Sequence, residues 1–300
     1  MNKQKIVLLS IVFVVLTCCN RGKKYELSDA EIWKLGWRMI ESSMEENYEI
    51  ANLQFDSLRN VATEIDRKYL LTGLQVKSKI GKNTEVLEIL KMQNDVMLQR
   101  ICKSVFLSNL KPCQEVWPEE IGNKELQNEL IKMYVDDQAV RGNVMRDIIY
   151  KYKVDTLQIS NQNGVMVDSR NRDRLQEIFR ESGFPTKKDV GKEAMNGIFL
   201  MIQHADGDKE WQKSQLKNIE TAVKNGDMNG QNYAYLFDRI KINSNQKQRY
   251  GTQFAKVDPI NGTVELAETE DLKNLDTRRR EIGMMPIAMY KKFMLKNLPN

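Results

Sequence analysis

The stretch "IFLMIQHADGDKEWQ", residues 198–212, places five apolar side chains directly before a run of polar ones. A helix with this sequence is apolar on every side, so the pattern predicts the central helix of a helical domain, over about Asp189–His204. His204 is the only histidine in the chain, and Asp206 and Asp208 follow it. A core helix that ends on a titratable ring among carboxylates predicts a polar site at that end.

The segments around this helix also carry helical periodicity. One stretch differs: in "RYGTQFAKVDPINGTVELAE", residues 249–268, two β-rich arms flank "DPING", which predicts a β-hairpin. Residues 124–298 are therefore expected to form a helical domain with one β-hairpin. Its other helices are predicted at about Asp168–Glu181, Lys209–Lys224, Gln231–Ile242, Thr269–Ile282 and Pro286–Leu298.

The preceding region, residues 28–112, reads as a series of helical hairpins. Ser28 and Glu31 have the spacing of a capping box, so a helix is expected to begin there. "NYEIANLQFDSL" (47–58) and "NTEVLEILKMQN" (83–94) align at an offset of 35 residues. Tetratricopeptide-like hairpins repeat at about 34 residues. These segments resemble that class, and an ordinary hairpin stack explains them equally well, so both interpretations stay open. The fold class is mainly α.

A boundary is expected after the hairpins, because "KPCQEVWPEEIGN" (111–123) contains two prolines and a glycine. Residues 113–123 are the predicted linker. Cys102 and Cys113 flank a segment that can fold back on itself, so a disulfide and two free buried thiols are both open.

The N-terminus has the features of an export signal. Lys3 and Lys5 precede the apolar run "IVLLSIVFVVLT", which is too short for a spanning helix. The run ends in "LTCC", which resembles the lipobox of bacterial lipoproteins. The resemblance implies a signal peptide over residues 1–19, with Cys19 retained as the lipidated residue, followed by a tether over residues 20–27. It predicts anchoring to the bacterial cell envelope, with the membrane leaflet left open.

Composition argues against a nucleic-acid-binding protein. The net charge is +5, but 46 basic residues are interleaved with 41 acidic ones. The densest basic cluster, Arg278–Arg280, points in three directions on a helix, which is typical of a solvated or ion-paired face. We expect no nucleic-acid partner.

Other polar residues lie where apolar ones are expected. Asp137 and Arg141 continue the stripe of Leu126, Leu130 and Met133, and Asp238 and Arg239 interrupt an otherwise apolar helix. Such charges are either paired with neighbouring elements or point into a cavity. His204, Asp206 and Asp208 offer three mixed metal ligands, but with no second histidine we expect no metal and no cofactor.

Five segments together resemble a bacterial family called domain of unknown function 6624, over about residues 124–292. They are "LQNELIKMYVDDQAVR", "GFPTKKDVGKEAMNGIFLMIQHADGDKEWQ", "YAYLFDRI", "QRYGTQF" and "LDTRRREIGMMPIAMY". Phe184 stands where the family usually has tryptophan and Met284 where it has leucine, changes that affect packing. The resemblance implies a set of polar site residues: Asp137, Gln138, Arg141, Gln203, His204, Asp206, Gln212, Asp238, Arg239, Tyr250, Thr252 and Gln253.

We expect these residues to line one polar pocket, walled by the helix that ends at His204, the helix of Asp238 and the hairpin entry at 250–253. The favoured function is a ligand-binding or scaffolding module, with the N-terminal hairpins contacting an envelope protein or a peptide. The alternative is a hydrolase- or transferase-like enzyme. There His204 is the general acid or base, Asp206 or Asp238 orients it, and Arg141 or Arg239 holds an anionic substrate. The other ligand-binding candidates are Gln138, Gln203, Tyr250, Thr252 and Gln253.

Overall fold

The computed structural model describes residues 27–114, 120–155 and 163–297. The predicted signal peptide with Cys19, most of the predicted tether and residues 115–119 of the predicted linker lie outside the described residues. Among the helices of the described ranges, none is both long and apolar enough to cross a membrane. The described chain is mainly α-helical with one two-stranded antiparallel sheet, which confirms the predicted fold class.

The N-terminal unit consists of short helices packed as antiparallel neighbours. Ser28 caps the first helix, and Glu31 closes the predicted capping box by accepting from the Ser28 backbone N–H at 2.8 Å. Whether the hairpins are true repeats stays a prediction. The helices are α1 (Asp29–Met44), α2 (Tyr48–Val61), α3 (Arg67–Lys79), α4 (Asn83–Lys91), α5 (Asp95–Ile101), α6 (Val105–Ser108) and α7 (Lys111–Gln114).

Two glycines let these helices approach closely. A Cβ on Gly36 would lie 2.5 Å from the Tyr69 ring, and one on Gly73 would lie 2.2 Å from the Phe55 ring. Each aromatic ring therefore occupies space that only a glycine leaves free. Phe55 is fully buried at the centre of this core.

Cys102 and Cys113 form a disulfide that joins the end of α5 to α7. Both sulfurs lie in the N-terminal core, so Cys113 belongs to this unit although it was placed at the start of the linker. The sequence separation is 11 residues. The Cys102→Ser, Cys113→Ser double variant is expected to lower the free energy of unfolding by about 2–3 kcal/mol, the loop-closure contribution of a bridge of this size. Urea unfolding with and without reductant checks this. An effect of reductant on the double variant equal to that on the native chain would contradict it.

The C-terminal unit begins with α8 (Lys124–Ala139) and includes the predicted central helix, α11 (Lys187–His204). The single helix predicted over residues 209–224 is in fact two helices, which are separated at Gln215. The helix predicted over residues 269–282 begins only at Leu275, because Asp271 has φ +38° and a 3₁₀ turn follows it at Leu272–Asn274. The remaining helices are α9 (Arg146–Tyr152), α10 (Gly164–Ser182), α11 (Lys187–His204), α12 (Lys209–Ser214), α13 (Leu216–Lys224), α14 (Gly230–Asn243), α15 (Leu275–Glu281) and α16 (Ile287–Asn297).

Helices α8 and α11 run in parallel through the core. Gln127 on α8 donates to the Val190 carbonyl at 2.8 Å, and further along Tyr134 packs on Gly197, where a Cβ would lie 2.7 Å from it. Helix α10 runs antiparallel to α8. The carboxyl ends of α8 and α11 and the beginning of α10 therefore meet at one end of the unit.

The predicted hairpin forms with shorter strands than expected. Strand β1 (Phe254–Asp258) pairs antiparallel with β2 (Thr263–Leu266), with an irregularity next to Phe254. The first arm, residues 249–253, is not a strand. Its backbone N–H groups instead turn towards a buried carboxylate, described below.

The two units contact each other through the C-terminal segment. The Trp33 indole donates to the Met284 carbonyl at 2.9 Å, and Lys292 pairs with Glu41 at 2.8 Å. Met285 and Met289 pack against the N-terminal core. The chain end thus ties the hairpin region to the domain that follows it.

Candidate functional site

The converging helix ends bring together four charged or titratable side chains from three segments. Asp137 lies in the last turn of α8, Arg141 just beyond it, Asp168 in the second turn of α10 and His204 at the end of α11. We call these four residues the His204 cluster. Asp137, Arg141 and His204 were predicted site residues, whereas Asp168 was not.

His204 is oriented by Asp137. Its Nδ1 lies 2.8 Å from Oδ1 and 3.0 Å from Oδ2 of that carboxylate. The Asp137 side chain is fully buried, whereas 16% of the His204 side chain is exposed. A neutral imidazole that donates Nδ1–H to a carboxylate carries its lone pair on Nε2. Among the described residues no hydrogen bond reaches Nε2, so that edge of the ring is available to a ligand.

Both Nη groups of Arg141 donate hydrogen bonds within the cluster. Nη1 donates to the Asp137 backbone carbonyl at 2.7 Å, and Nη2 donates to both oxygens of Asp168 at 2.7 and 2.9 Å. An anionic substrate would have to compete with Asp168 for Nη2. That Arg141 holds an anion stays a prediction. Gln138 supports the cluster by donating to Asp137 at 2.8 Å.

The cluster favours positive charge. With His204 neutral, two carboxylates face one guanidinium, which leaves a net charge of −1 on the four side chains. The carboxyl ends of α8 and α11 add negative potential from their last carbonyl groups. A cation or a hydrogen-bond donor is therefore a better match for this site than an anion.

Asp206 belongs to a neighbouring network. It accepts from Arg239 Nε at 3.0 Å, from Arg239 Nη2 and from Gln212 at 3.1 Å. Gln212 also donates to the carbonyls of Ile202 and Gln203, which satisfies the end of α11. The predicted ligand residue Arg239 thus joins α14 to the segment after α11, whereas Gln203 contributes only its backbone carbonyl to this network. The other carboxylate after His204, Asp208, caps α12 by accepting from the Trp211 N–H at 3.1 Å.

The pH dependence of the Asp206–Arg239 pair follows from the pKa of Asp206. Burial raises this pKa, but the hydrogen bonds from Arg239 and Gln212 outweigh burial and leave it below its ordinary value of 3.8. A lowered folded-state pKa stabilises the protein above the unfolded value, and this contribution is lost as pH falls through the folded value.

Asp206→Asn is therefore expected to cost free energy of unfolding at neutral pH, and the cost should shrink as pH falls below 3.8. Urea unfolding of both proteins at several pH values checks this. Asp173→Asn, at a largely exposed α10 residue, is the control and should show no such trend. A cost that grows on acidification would contradict the assignment.

Asp238 holds the hairpin entry in place. Fully buried on α14, it accepts from the backbone N–H groups of Arg249 at 2.8 Å, Tyr250 at 3.0 Å and Thr252 at 3.0 Å. The Thr252 hydroxyl adds a fourth hydrogen bond at 3.0 Å. All hydrogen bonds of this carboxylate in the described chain go to residues 249–252. Asp238 therefore does not orient His204, and the prediction that it does is wrong.

The remaining predicted ligand residues form part of the same loop structure. The Tyr250 ring is buried against Tyr233 and Phe237. Gln253 donates from its side chain to the Thr252 hydroxyl and from its backbone to Gln248. The residues predicted to line a single pocket therefore belong to three networks: the His204 cluster, the Asp206–Arg239 network and the loop around Asp238. The histidine edge belongs to the His204 cluster.

Two arginines of the basic run, Arg278 and Arg279, are buried, whereas a solvated or ion-paired face was predicted for the run. Arg279 is fully buried and donates to the carbonyls of Tyr250 at 2.6 Å and Met285 at 2.7 Å, while its guanidinium stacks over Tyr290. Arg278 donates to the carbonyls of Arg249, Glu270 and Asp271. Backbone carbonyls with no sequence signature are their acceptors, so spacing alone could not reveal this role.

The protein thus contains a mainly α-helical domain in which buried polar contacts hold the hairpin entry and the helix ends. A family model described as "Family of unknown function (DUF6624)" matches residues 124–297. The chain belongs to that family, as its sequence resemblance implied. No curated protein and no solved structure matches it.

Proposed function

We propose that the chain is a lipid-anchored protein of the bacterial cell envelope whose C-terminal domain binds a small polar ligand at the His204 cluster. The single observation that carries this is the contact between a fully buried Asp137 and a partly exposed His204. It fixes the ring while leaving the Nε2 edge without a protein partner in the described residues. A fully buried histidine with only a structural task has partners for both nitrogens, whereas the Nε2 edge of His204 is left open to water or a ligand.

The ligand class follows from the charges of the cluster. A group that donates a hydrogen bond to Nε2, such as a hydroxyl or an ammonium, suits a neutral ring in a site with a net negative charge. An acidic ligand would face both carboxylates. The proposal therefore favours neutral hydroxylated or cationic compounds over anionic ones.

The experiment is a thermal-shift screen of small polyols, amino sugars and amines against the mature protein in detergent. His204→Gln is the test variant, because it keeps a polar side chain of similar length. Compounds that raise the melting temperature of the native protein should not raise that of His204→Gln. Gln246→Ala, at an exposed residue in the loop after α14, is the control and should respond like the native chain. Equal shifts for all three proteins would overturn the proposed site.

An enzyme is the second candidate, and the same carboxylate–histidine contact favours it. In this arrangement Nε2 can take a proton from a bound hydroxyl or water, and Asp137 stabilises the imidazolium that forms. Neither Asp206 nor Asp238 is needed for that step. Turnover of a hit compound by the native protein, lost in both His204→Gln and Asp137→Asn, would separate the enzyme from a binding protein.

Anchoring is proposed from the lipobox resemblance at Cys19 and from the polar character of the described chain. Acyl chains would hold the protein at a membrane surface, each buried methylene contributing about 0.8 kcal/mol. Mass spectrometry of the mature N-terminus should show acyl mass on Cys19, and Cys19→Ser should carry no acyl mass and keep the uncleaved signal peptide. An unmodified N-terminus elsewhere would contradict this. Contact of the N-terminal hairpins with an envelope protein or peptide remains part of the proposal.

A further inference from the structure

We propose that Asp137, Asp168 and His204 form a binding site for a divalent transition-metal ion, which Arg141 occupies as an internal cation when the metal is absent. One ligand atom from each of the three residues lies within 4.8 Å of the others. This goes beyond the proposed function, since it assigns an inorganic ion to the carboxylate side of the ring. It also differs from the metal set weighed on sequence grounds, which used Asp206 and Asp208.

The donor set fits the chemistry of such an ion. One imidazole nitrogen and two carboxylate oxygens are ligands that zinc and its neighbours accept, at about 2.0–2.2 Å. Two carboxylates also match the charge of one divalent ion. Three protein ligands leave a coordination position for water or a substrate, as in catalytic sites.

The movements needed are small. Around a tetrahedral ion the ligand atoms would lie roughly 3.3 Å apart, a spacing that follows from metal–ligand lengths of about 2.0 Å. Asp137 and His204 are already closer than this, at 2.8 Å. Asp168 is 22% exposed and lies near the beginning of α10, so its side chain can rotate inward.

Arg141 is the competitor for the site. Its guanidinium bridges Asp137 and Asp168, which is where a metal shared by these carboxylates would lie. Its side chain is 31% exposed and can move into solvent. Replacing one positive charge by two changes the net charge of the cluster from −1 to 0, so the exchange is electrostatically matched.

Metal binding has a distinct consequence for the histidine. In the metal-free state Nδ1 carries a proton and donates a hydrogen bond to Asp137. A metal on Nδ1 instead requires the lone pair of that nitrogen. The proton then resides on Nε2, and the ring stays neutral. The exposed edge of His204 thereby changes from a hydrogen-bond acceptor to a donor.

The test uses the mature protein in detergent, made without a histidine tag and treated with chelator. Zn²⁺ is titrated by calorimetry, and the ring nitrogens of His204 are followed by ¹⁵N NMR. Binding of one Zn²⁺ with transfer of the ring proton from Nδ1 to Nε2 supports the proposal. Asp168→Asn should weaken the affinity at least about tenfold. Arg141→Gln should strengthen it, because the competing cation is gone, and Asp173→Asn should leave it unchanged.

Two results would overturn the proposal. One is the absence of saturable Zn²⁺ binding in both the native protein and Arg141→Gln, with circular dichroism showing both to be folded. The other is Zn²⁺ binding that Asp168→Asn and His204→Gln leave unchanged. Loss of the metal site with an intact His204-dependent thermal shift would remove this inference and leave the proposed organic-ligand site in place.

Discussion

Asp238→Ala is expected to lower the free energy of unfolding by about 3–5 kcal/mol, because it leaves several buried donors without an acceptor. Three backbone N–H groups and one hydroxyl, from residues 249–252, converge on this carboxylate. Water cannot easily reach the donors of Tyr250 and Thr252, since these two residues and Asp238 are all buried. Urea unfolding measures the change.

Two further variants sharpen that test. Asp238→Asn keeps the size but replaces one acceptor oxygen by a donor, so it should also destabilise, by less than alanine. Asp173→Asn, whose parent side chain is 58% exposed, should change stability by less than about 0.5 kcal/mol. An Asp238→Ala protein as stable as the control would show that the loop does not depend on this carboxylate.

Gly230→Ala is expected to cost about 3 kcal/mol or more, because it forces backbone atoms apart. A Cβ at Gly230, the first residue of α14, would lie 2.2 Å from the carbonyl oxygen and 2.9 Å from the Cβ of Ile282. Neither is the mobile end of a flexible side chain. Relief would require α14 to move away from the end of α15, which also carries the buried Arg279.

Gly207→Ala is the matched control. Gly207 lies in the turn after His204, has an ordinary φ and has no neighbouring atom within 4 Å of the place that an alanine Cβ would take. The substitution should be neutral or slightly stabilising, because alanine restricts the unfolded chain more than glycine does. Thermal unfolding of the two variants side by side checks the prediction. Similar melting temperatures would contradict the close approach at Gly230.

Local patterns were sufficient to predict most of the fold. The apolar run before His204 predicted the central helix, Ser28 and Glu31 predicted the beginning of α1, and "DPING" predicted the hairpin turn. These signals lie within a few residues of the feature they predict. Helix periodicity and capping are local properties, so a single sequence contains them.

The site was predicted less completely, because its pairs are distant in sequence. Asp137 is 67 residues from His204, and Arg141 is 27 residues from Asp168. Which carboxylate reaches the ring depends on α8 and α11 running in parallel, a register that periodicity does not specify. Asp206 was a predicted partner of His204 because it is near in sequence, and Asp238 because it is polar in an apolar helix. In the structure Asp206 pairs with Arg239, and Asp238 accepts from the backbone of residues 249–252.

The most direct test of the proposed His204 site is the tautomer of His204 in the metal-free protein. Since the chain has one histidine, its two ring nitrogens give an unambiguous ¹⁵N NMR signal. We predict a proton on Nδ1 in slow exchange with solvent, an unprotonated Nε2 at alkaline pH, and loss of that slow exchange in Asp137→Asn. A proton on Nε2, or a ring whose signals are the same in Asp137→Asn, would contradict the central claim that Asp137 orients His204 towards a ligand.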